Sequence, residues 1–277
     1  MHLPSARFEI RGYSVHWMGR LPIASLVTRY DPEARLPLSP AELADTDQAW
    51  AEALKARKRL QDLPLYRLLA ARVEADSLAL DLGLTGYKEY IGTNVRPPAW
   101  ALADPEGKMS KPIAVSAVAV SKDGKVFLQA RAEGVGERDA GRWHITPSGH
   151  IHPPQTVLEG LMAELCEELA VESSEVDGEV AVSGLIVGKW NYKPELTFLL
   201  RLRATSEDIL ARSAPDNWEY ERLVPVAWEA ATVRQWLLRD EVEWVPLGYA
   251  ALLLAGRVDF GEEWMAGRGF SLSPERP

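Results

Sequence analysis

Hydrophobic and polar positions alternate through residues 7–18 and again through residues 21–30, the period-two pattern of half-buried strands. Residues 33–40 are broken by prolines. Ser39-Pro40-Ala41-Glu42 then reads as a helix start, with Ser39 as the cap and Pro40 at the first position. Ala, Leu, Glu and Lys dominate to about Ala56, which predicts a helix there. Residues 65–75 and 77–83 read as a hairpin, with a helix left open for the first of them. Residues 97–112, rich in proline, read as a linker between an N-terminal domain (1–105) and a second domain (106–277).

The second domain opens with a strand at 113–120 that is apolar but for Ser116. A turn at Lys122-Asp123-Gly124-Lys125 leads to a partner strand at 126–131, and Asp-Gly between apolar runs is a hairpin signal. Residues 134–141 are a polar loop, and 143–146 lead into the turn Pro147-Ser148-Gly149. Strands are predicted at 179–187, 196–202 and 223–226, and helices at 229–238 and 246–255. The tail after Gly261 is expected to be loose. The order of elements suggests an α/β sandwich with a mixed sheet, preceded by a smaller α+β domain.

Between these strands lies the stretch from Gly149 to Val171. It is helix-like and holds Glu164, Glu167 and Glu168 within an arc of about 100°. Leu158, Leu161, Met162, Leu165 and Leu169 form the adjoining apolar stripe, so the acids sit at the rim of a packed helix. Pro153 and Pro154 fit its first turn or the loop ahead of it. Three clustered carboxylates repel one another unless a cation joins them or some protonate. All-oxygen ligation suits Mg2+ or Mn2+. On the pattern alone a solvated acidic face remains open.

Composition narrows the field. With 47% hydrophobic and 26% charged residues in a chain of 277, a full core can be buried. A formal net charge of -9 argues against general binding to a nucleic-acid backbone. No apolar run has the length of a membrane span, and the first residues lack a signal peptide's apolar core. The one cysteine, Cys166, can form no intrachain disulfide and reads as a buried thiol. A reducing, cytoplasmic setting is expected, without membrane or nucleic-acid partners.

The spacing of the acids carries a resemblance. Gly149, Glu164, Leu165, Glu167, Glu168 and Val171 match in register the signature of the Nudix hydrolases: Gly, five residues, Glu, seven residues, then Arg-Glu-apolar-any-Glu-Glu-any-Gly-apolar. Gln155, Ala163 and Ala170 depart from it, at the first Glu, the Arg and the last Gly. Gln155 and Ala163 together remove one ion pair, which touches the rigidity of the loop more than metal binding. A narrower resemblance is to the Nudix-type UDP-glucose pyrophosphatases. Their N-terminal domain ends in a stretch similar to Leu82-Gly83-Leu84-Thr85-Gly86-Tyr87-Lys88-Glu89-Tyr90-Ile91-Gly92-Thr93-Asn94, and their box also lacks the Arg. Ser148-Gly149-His150 resembles their Gly-Gly-His.

The resemblance implies a Nudix sandwich and Mg2+-dependent hydrolysis of a nucleotide-sugar. It makes Glu164, Glu167 and Glu168 the metal ligands and catalytic acids, with Glu219 as a later-loop ligand. Arg131 would reach a phosphate beside Gly149. Tyr87, Thr93, Asn94 and Asn191 would contact the nucleotide. On residue type alone Tyr87 and Tyr90 suit a core, and Arg131 and Glu219 suit a solvated surface. His150 and His152, on a proline-rich loop, are expected to face solvent. Three functions stay open: hydrolysis of a UDP-sugar, hydrolysis of another nucleoside diphosphate derivative such as ADP-ribose or a dinucleotide, and non-catalytic nucleotide binding.

Overall fold

A computed structural model describes residues 1–6, 8–57, 59–132, 139–213, 220–267, 269–270 and 272–273. The first predicted strand is two, β1 (Phe8–Ile10) and β2 (Tyr13–Pro22). Arg11 and Gly12 between them both take positive φ, which turns the chain back on itself. β3 (Leu26–Arg35) starts after a short 3-10 turn and lies five residues further along the chain than the pattern suggested. α1 (Pro40–Ala56) begins where its capping residues place it: Ser39 Oγ accepts from Glu42 N–H, and Glu42 Oε2 accepts from Ser39 N–H. β4 (Pro64–Glu74) and β5 (Ser77–Gly86) pair from Pro64↔Gly86 to Glu74↔Ser77, so the helix alternative for the first is excluded.

The segment after β5 is not a set of tight turns. It is α2 (Tyr87–Tyr90) continued by a π turn (Ile91–Val95). Gly92 is required there by packing, because a Cβ on it would overlap Thr46 of α1. α3 (Ala99–Ala103) and α4 (Pro105–Lys108) fill the expected linker. Its end is packed: Met109, Ser110 and Lys111 are buried, while Leu102, Ala103, Asp104 and Glu106 are exposed. Lys111 Nζ donates to Glu106 O at 2.7 Å and to Glu106 Oε2 at 2.8 Å, which satisfies an ammonium that would otherwise be buried unpaired.

Next come β6 (Ala114–Val120), β7 (Lys125–Arg131), β8 (Trp143–Ile145), β9 (Ser148–His150) and α5 (Val157–Leu169). β10 (Val176–Gly188), β11 (Pro194–Leu202), α6 (Ser206–Arg212), β12 (Tyr220–Ala227), α7 (Ala230–Leu238) and α8 (Pro246–Phe260) follow. The tail is partly tied down, with α9 (Glu262–Ala266) and β13 (Leu272–Ser273), which pairs with β1. Seven strands form one mixed sheet, ordered β13-β1-β2-β10-β11-β6-β9, in which β11 and β6 are parallel. Two three-stranded sheets, β12-β7-β8 and β3-β5-β4, stand beside it.

The large sheet separates two cores. Along β6, Val115, Ala117 and Ala119 enter one, and Val118 and Val120 the other, as strand alternation requires. The first core holds Leu161, Leu165 and Leu169 of α5, and Leu68, Leu80 and Leu82 of the β4–β5 hairpin. The second is filled by α8, whose residues from Leu247 to Gly256 are all buried. Each buried leucine contributes about 1.5–3 kcal/mol over exposure. The stripe on α5 is narrower than predicted, since Leu158 is exposed and Met162 only half-buried. Among the described residues no helix is long and apolar enough to cross a membrane.

Candidate functional site

α5 holds the three acids at different depths. Thr156 caps it, Oγ1 accepting from Glu159 N–H while Glu159 Oε2 accepts from Thr156 N–H, so the prolines at 153 and 154 lie in the loop ahead. Glu167 is exposed, Glu164 is half-buried and Glu168 is buried. Glu168 turns under β9: its Oε2 accepts from Thr146 Oγ1 at 2.5 Å and its Oε1 from Ser148 N–H at 3.0 Å. This corrects the expectation that the whole acid arc lies apart from the packed interior. Cys166 is exposed, not buried, and its thiol donates to Glu172 Oε1 at 3.7 Å. α5 ends at Ala170 in the left-handed conformation, φ 51° and ψ 40°, where the signature's glycine would sit without the steric penalty of about 1–2 kcal/mol.

Gly149 has a direct role in placing Glu164. A Cβ built on Gly149 would overlap the Glu164 carboxylate, so the acid lies flat against this backbone. Gly149→Ala is therefore expected to leave the melting temperature within a few degrees, since the clashing atom ends a flexible side chain. It should displace Glu164 and remove at least about 90% of turnover, given that a 1 Å misplacement can cost a hundredfold. Parallel melts and rate measurements on the variant check both halves. The loop that lost its ion pair at Gln155 and Ala163 is closed differently: Gln155 Oε1 accepts from His152 N–H at 3.2 Å.

Glu164, Glu167 and Gly149 open into a cavity of about 1270 Å3. Arg131, at the end of β7, lines it, and its Nε is buried with no hydrogen-bond partner. Tyr87, Asn94 and Asn191 line the same cavity, so most of the predicted site residues come together. Thr93 does not. It is fully buried, and its hydroxyl lies 2.7 Å from Glu89 O and 2.8 Å from Asn94 Oδ1, so the expected contact with a nucleotide is corrected to a packing role. Asn94 is a tether: Oδ1 accepts from Ser110 N–H at 2.9 Å, and Nδ2 donates to Asn191 O at 2.5 Å across to the β10–β11 loop. Glu219 lies outside the described residues.

Several lining residues escaped the sequence reading. His150 is half-buried, not solvent-facing, and its ring meets Tyr87 and Tyr90 edge-on at 5.8 and 5.3 Å. Burial, with the charge of Lys193 nearby, pushes its imidazole well below its ordinary range, so it is neutral. His152 is half-buried too, with Nδ1 3.0 Å from Pro64 O. His144 is pushed down to about 3, first by burial and then by the charge of Arg131. Its Nδ1 lies 2.7 Å from Ile145 O, and a carbonyl only accepts, so Nδ1 carries the proton. Lys193 and Glu195 also line the cavity. The signal for Glu195 was a charged residue at the head of a mostly apolar strand.

The carboxylates do not form a closed cage. Among the described residues no three His, Cys, Asp or Glu side chains converge on one point. An open set of oxygen donors fits an ion such as Mg2+, which keeps waters or substrate phosphates in its other positions. It does not fit a structural site with a full protein ligand shell.

The NUDIX domain profile matches residues 110–256, just over half of the chain. The chain belongs to the Nudix family. "Nudix hydrolase 9" of Arabidopsis thaliana is 24% identical over 187 residues, covering 56% of this chain and 59% of that protein. The chain thus matches less than two thirds of the curated relative's length. Among solved structures, a NUDIX hydrolase from Nitrosomonas europaea has a TM-score of 0.36 at 18% identity, covering 56% of this chain and 98% of its own. A MutT protein from Methanosarcina mazei has a TM-score of 0.36 at 17% identity, covering 50% and 91%. Within the Nudix segment fall β6 to β12, α5 and most of α8, including Glu164, Glu167, Glu168, Gly149, Arg131, Lys193 and Glu195. Tyr87 and Asn94 reach the cavity from outside it.

Proposed function

We propose that this Nudix protein hydrolyses the diphosphate bond of a nucleoside diphosphate derivative, in a reaction dependent on Mg2+ or Mn2+. Its substrate is a UDP-sugar of the UDP-glucose kind, cleaved to UMP and a sugar 1-phosphate. The observation that carries this reading is the shared cavity. Glu164, Glu167, Gly149 and Arg131 enter it from residues 106–277, and Tyr87 and Asn94 from residues 1–105. Its volume suits a ligand larger than a mononucleotide, and ligand sites favour such junctions. Residues 1–105 act here as the nucleotide-binding part and residues 106–277 as the hydrolase part.

Glu164 and Glu167 would hold the ion, with Glu168 behind them fixing the loop on which Gly149 sits. The bound ion would neutralise the diphosphate and lower the pKa of a bound water. Arg131 offers a buried guanidinium N–H that lacks an acceptor, and a phosphate oxygen supplies one. Asn94 holds the nucleotide side together by joining Ser110 to Asn191. Asn94→Ala should lower stability by about 1–3 kcal/mol, because buried polar groups lose their partners. It should raise KM for the nucleotide and leave Mg2+ affinity without substrate unchanged. Melts, rate curves and a metal titration test the three parts.

A panel of UDP-glucose, other nucleotide-sugars, ADP-ribose and a dinucleotide tests the reading, with Mg2+ and a phosphatase to release phosphate from products. UDP-sugars turned over fastest support it. Preference for ADP-ribose or a dinucleotide replaces the substrate but keeps the reaction. No turnover on any of them sinks both.

A further inference from the structure

We propose that Glu195 recognises the nucleoside half of the substrate, its Oε2 accepting a hydrogen bond from one neutral donor, a ribose hydroxyl or a ring N–H of the base. This rests on the reading that a nucleoside diphosphate derivative enters the cavity.

Glu195 stands at the head of β11, is 1% exposed and lines the cavity. Its two oxygens differ. Oε1 accepts from Ser116 Oγ at 2.5 Å. Oε2 is buried and has no hydrogen bond. Lys193 Nζ lies 3.2 Å from Oε2, close enough to balance the charge but without the alignment of a hydrogen bond. A buried carboxylate oxygen with an open lone pair is costly, and a donor from a ligand would relieve it. A phosphate is unsuited to that place, because it brings a second negative charge and no proton. The carboxylate therefore selects a neutral, donating part of a ligand.

The strand register sets its distance from the acids. Glu195 lies opposite Ala114, and Ala114 lies opposite His150, so Glu195 and His150 share one level of the sheet on the same face. Two strand spacings separate them, about 10 Å. His150 follows Gly149, against which the Glu164 carboxylate rests. The surroundings of Glu195 are aromatic. Tyr90 meets His150 edge-on, and Tyr13 meets Trp190 edge-on at 4.9 Å. Tyr13, Tyr90 and Trp190 all line the cavity. The cavity thus offers carboxylates and Arg131 for phosphates and an ion. Beside Glu195 and its ion-pair partner Lys193 it also offers ring faces for a flat, neutral group.

The test is equilibrium binding of UMP, CMP, AMP and GMP by calorimetry, with Mg2+, to the full chain and to Glu195→Met, with inorganic pyrophosphate as the control. The wild type should bind at least one nucleotide. The variant should bind it at least about tenfold more weakly, since a hydrogen bond to a charged group is lost, and should bind pyrophosphate unchanged. Equal nucleotide binding by both proteins overturns the proposal, as does an equal loss for pyrophosphate, or a wild type that binds none of the four. Should the variant fail to fold, the wild type is titrated with the 2′-deoxy, 3′-deoxy and base N-methyl forms of its best nucleotide. At least one must lose about tenfold, and it identifies the donor; no loss in any of them overturns the proposal. No arm needs turnover. Unchanged binding in an active enzyme removes the role of Glu195 alone, and selective loss in an inactive protein removes the hydrolase reading alone.

Discussion

Glu164→Gln is expected to lower Mg2+-dependent turnover by at least about a hundredfold while leaving the melting temperature within a few degrees. The amide has nearly the volume of the carboxylate, so the side chain can still lie against Gly149. What it lacks is the charge that, in the proposed reaction, would hold a divalent ion near a diphosphate. Glu164 is half-buried at the cavity wall and is not part of either apolar core, so the fold should tolerate the change. The measurement is kcat at saturating Mg2+ beside a thermal melt. Turnover within a few-fold of the wild type would remove Glu164 from the site. A large fall in melting temperature would make its role structural.

Glu168→Gln should also cost at least about a hundredfold in turnover, and it should differ from the first variant by lowering stability. Two donors, the Thr146 hydroxyl and the Ser148 N–H, meet this buried carboxylate. Charge-assisted hydrogen bonds are worth about 1.5–3 kcal/mol, and a neutral amide returns only part of that. Those bonds hold the turn leading into Ser148-Gly149, so their loss loosens the backbone on which Glu164 rests. The expected result is a drop of about 1–3 kcal/mol in unfolding free energy by denaturant titration, together with the loss of rate. Unchanged stability would mean that Glu168 points elsewhere in solution. Unchanged turnover would detach it from the chemistry.

Much of this arrangement was legible because local rules and the fold agree. The capping residues at Ser39 and Glu42 start α1 where the sequence placed it. The Asp-Gly turn at Asp123 and Gly124 does join β6 to β7, but the two strands enter different sheets and do not pair, so the expected hairpin is corrected to a sheet-to-sheet connection. The register of the acids with Gly149 came from the resemblance to the Nudix signature, and the contact of Gly149 with Glu164 gives it a physical reason. The depth of each acid was not readable. Helical angle alone put Glu168 on a rim, whereas the approach of Thr146 from the β8–β9 turn and of Ser148 from β9 buries it. The 83–94 stretch misled for a similar reason. Its glycines look like turn-formers, yet Gly92 is there so that a helical segment can press on Thr46. Thr93 and Asn94 were singled out as hydrogen-bonding side chains, and they do bond, chiefly to the protein. Glu195 was missed because only the pairing of β11 with β6 shows that a strand's first charged residue is buried.

The account's central claim is metal-dependent cleavage of a UDP-sugar at these acids, and identification of the products tests it most directly. The purified chain is incubated with UDP-glucose with Mg2+ and with a chelator, and the products are separated by chromatography and assigned by phosphorus NMR. The account predicts UMP and glucose 1-phosphate in equal amounts, formed only with the metal and nearly abolished in Glu164→Gln. Intact UDP-glucose after prolonged incubation with Mg2+, or the same products at the same rate from Glu164→Gln, would contradict it.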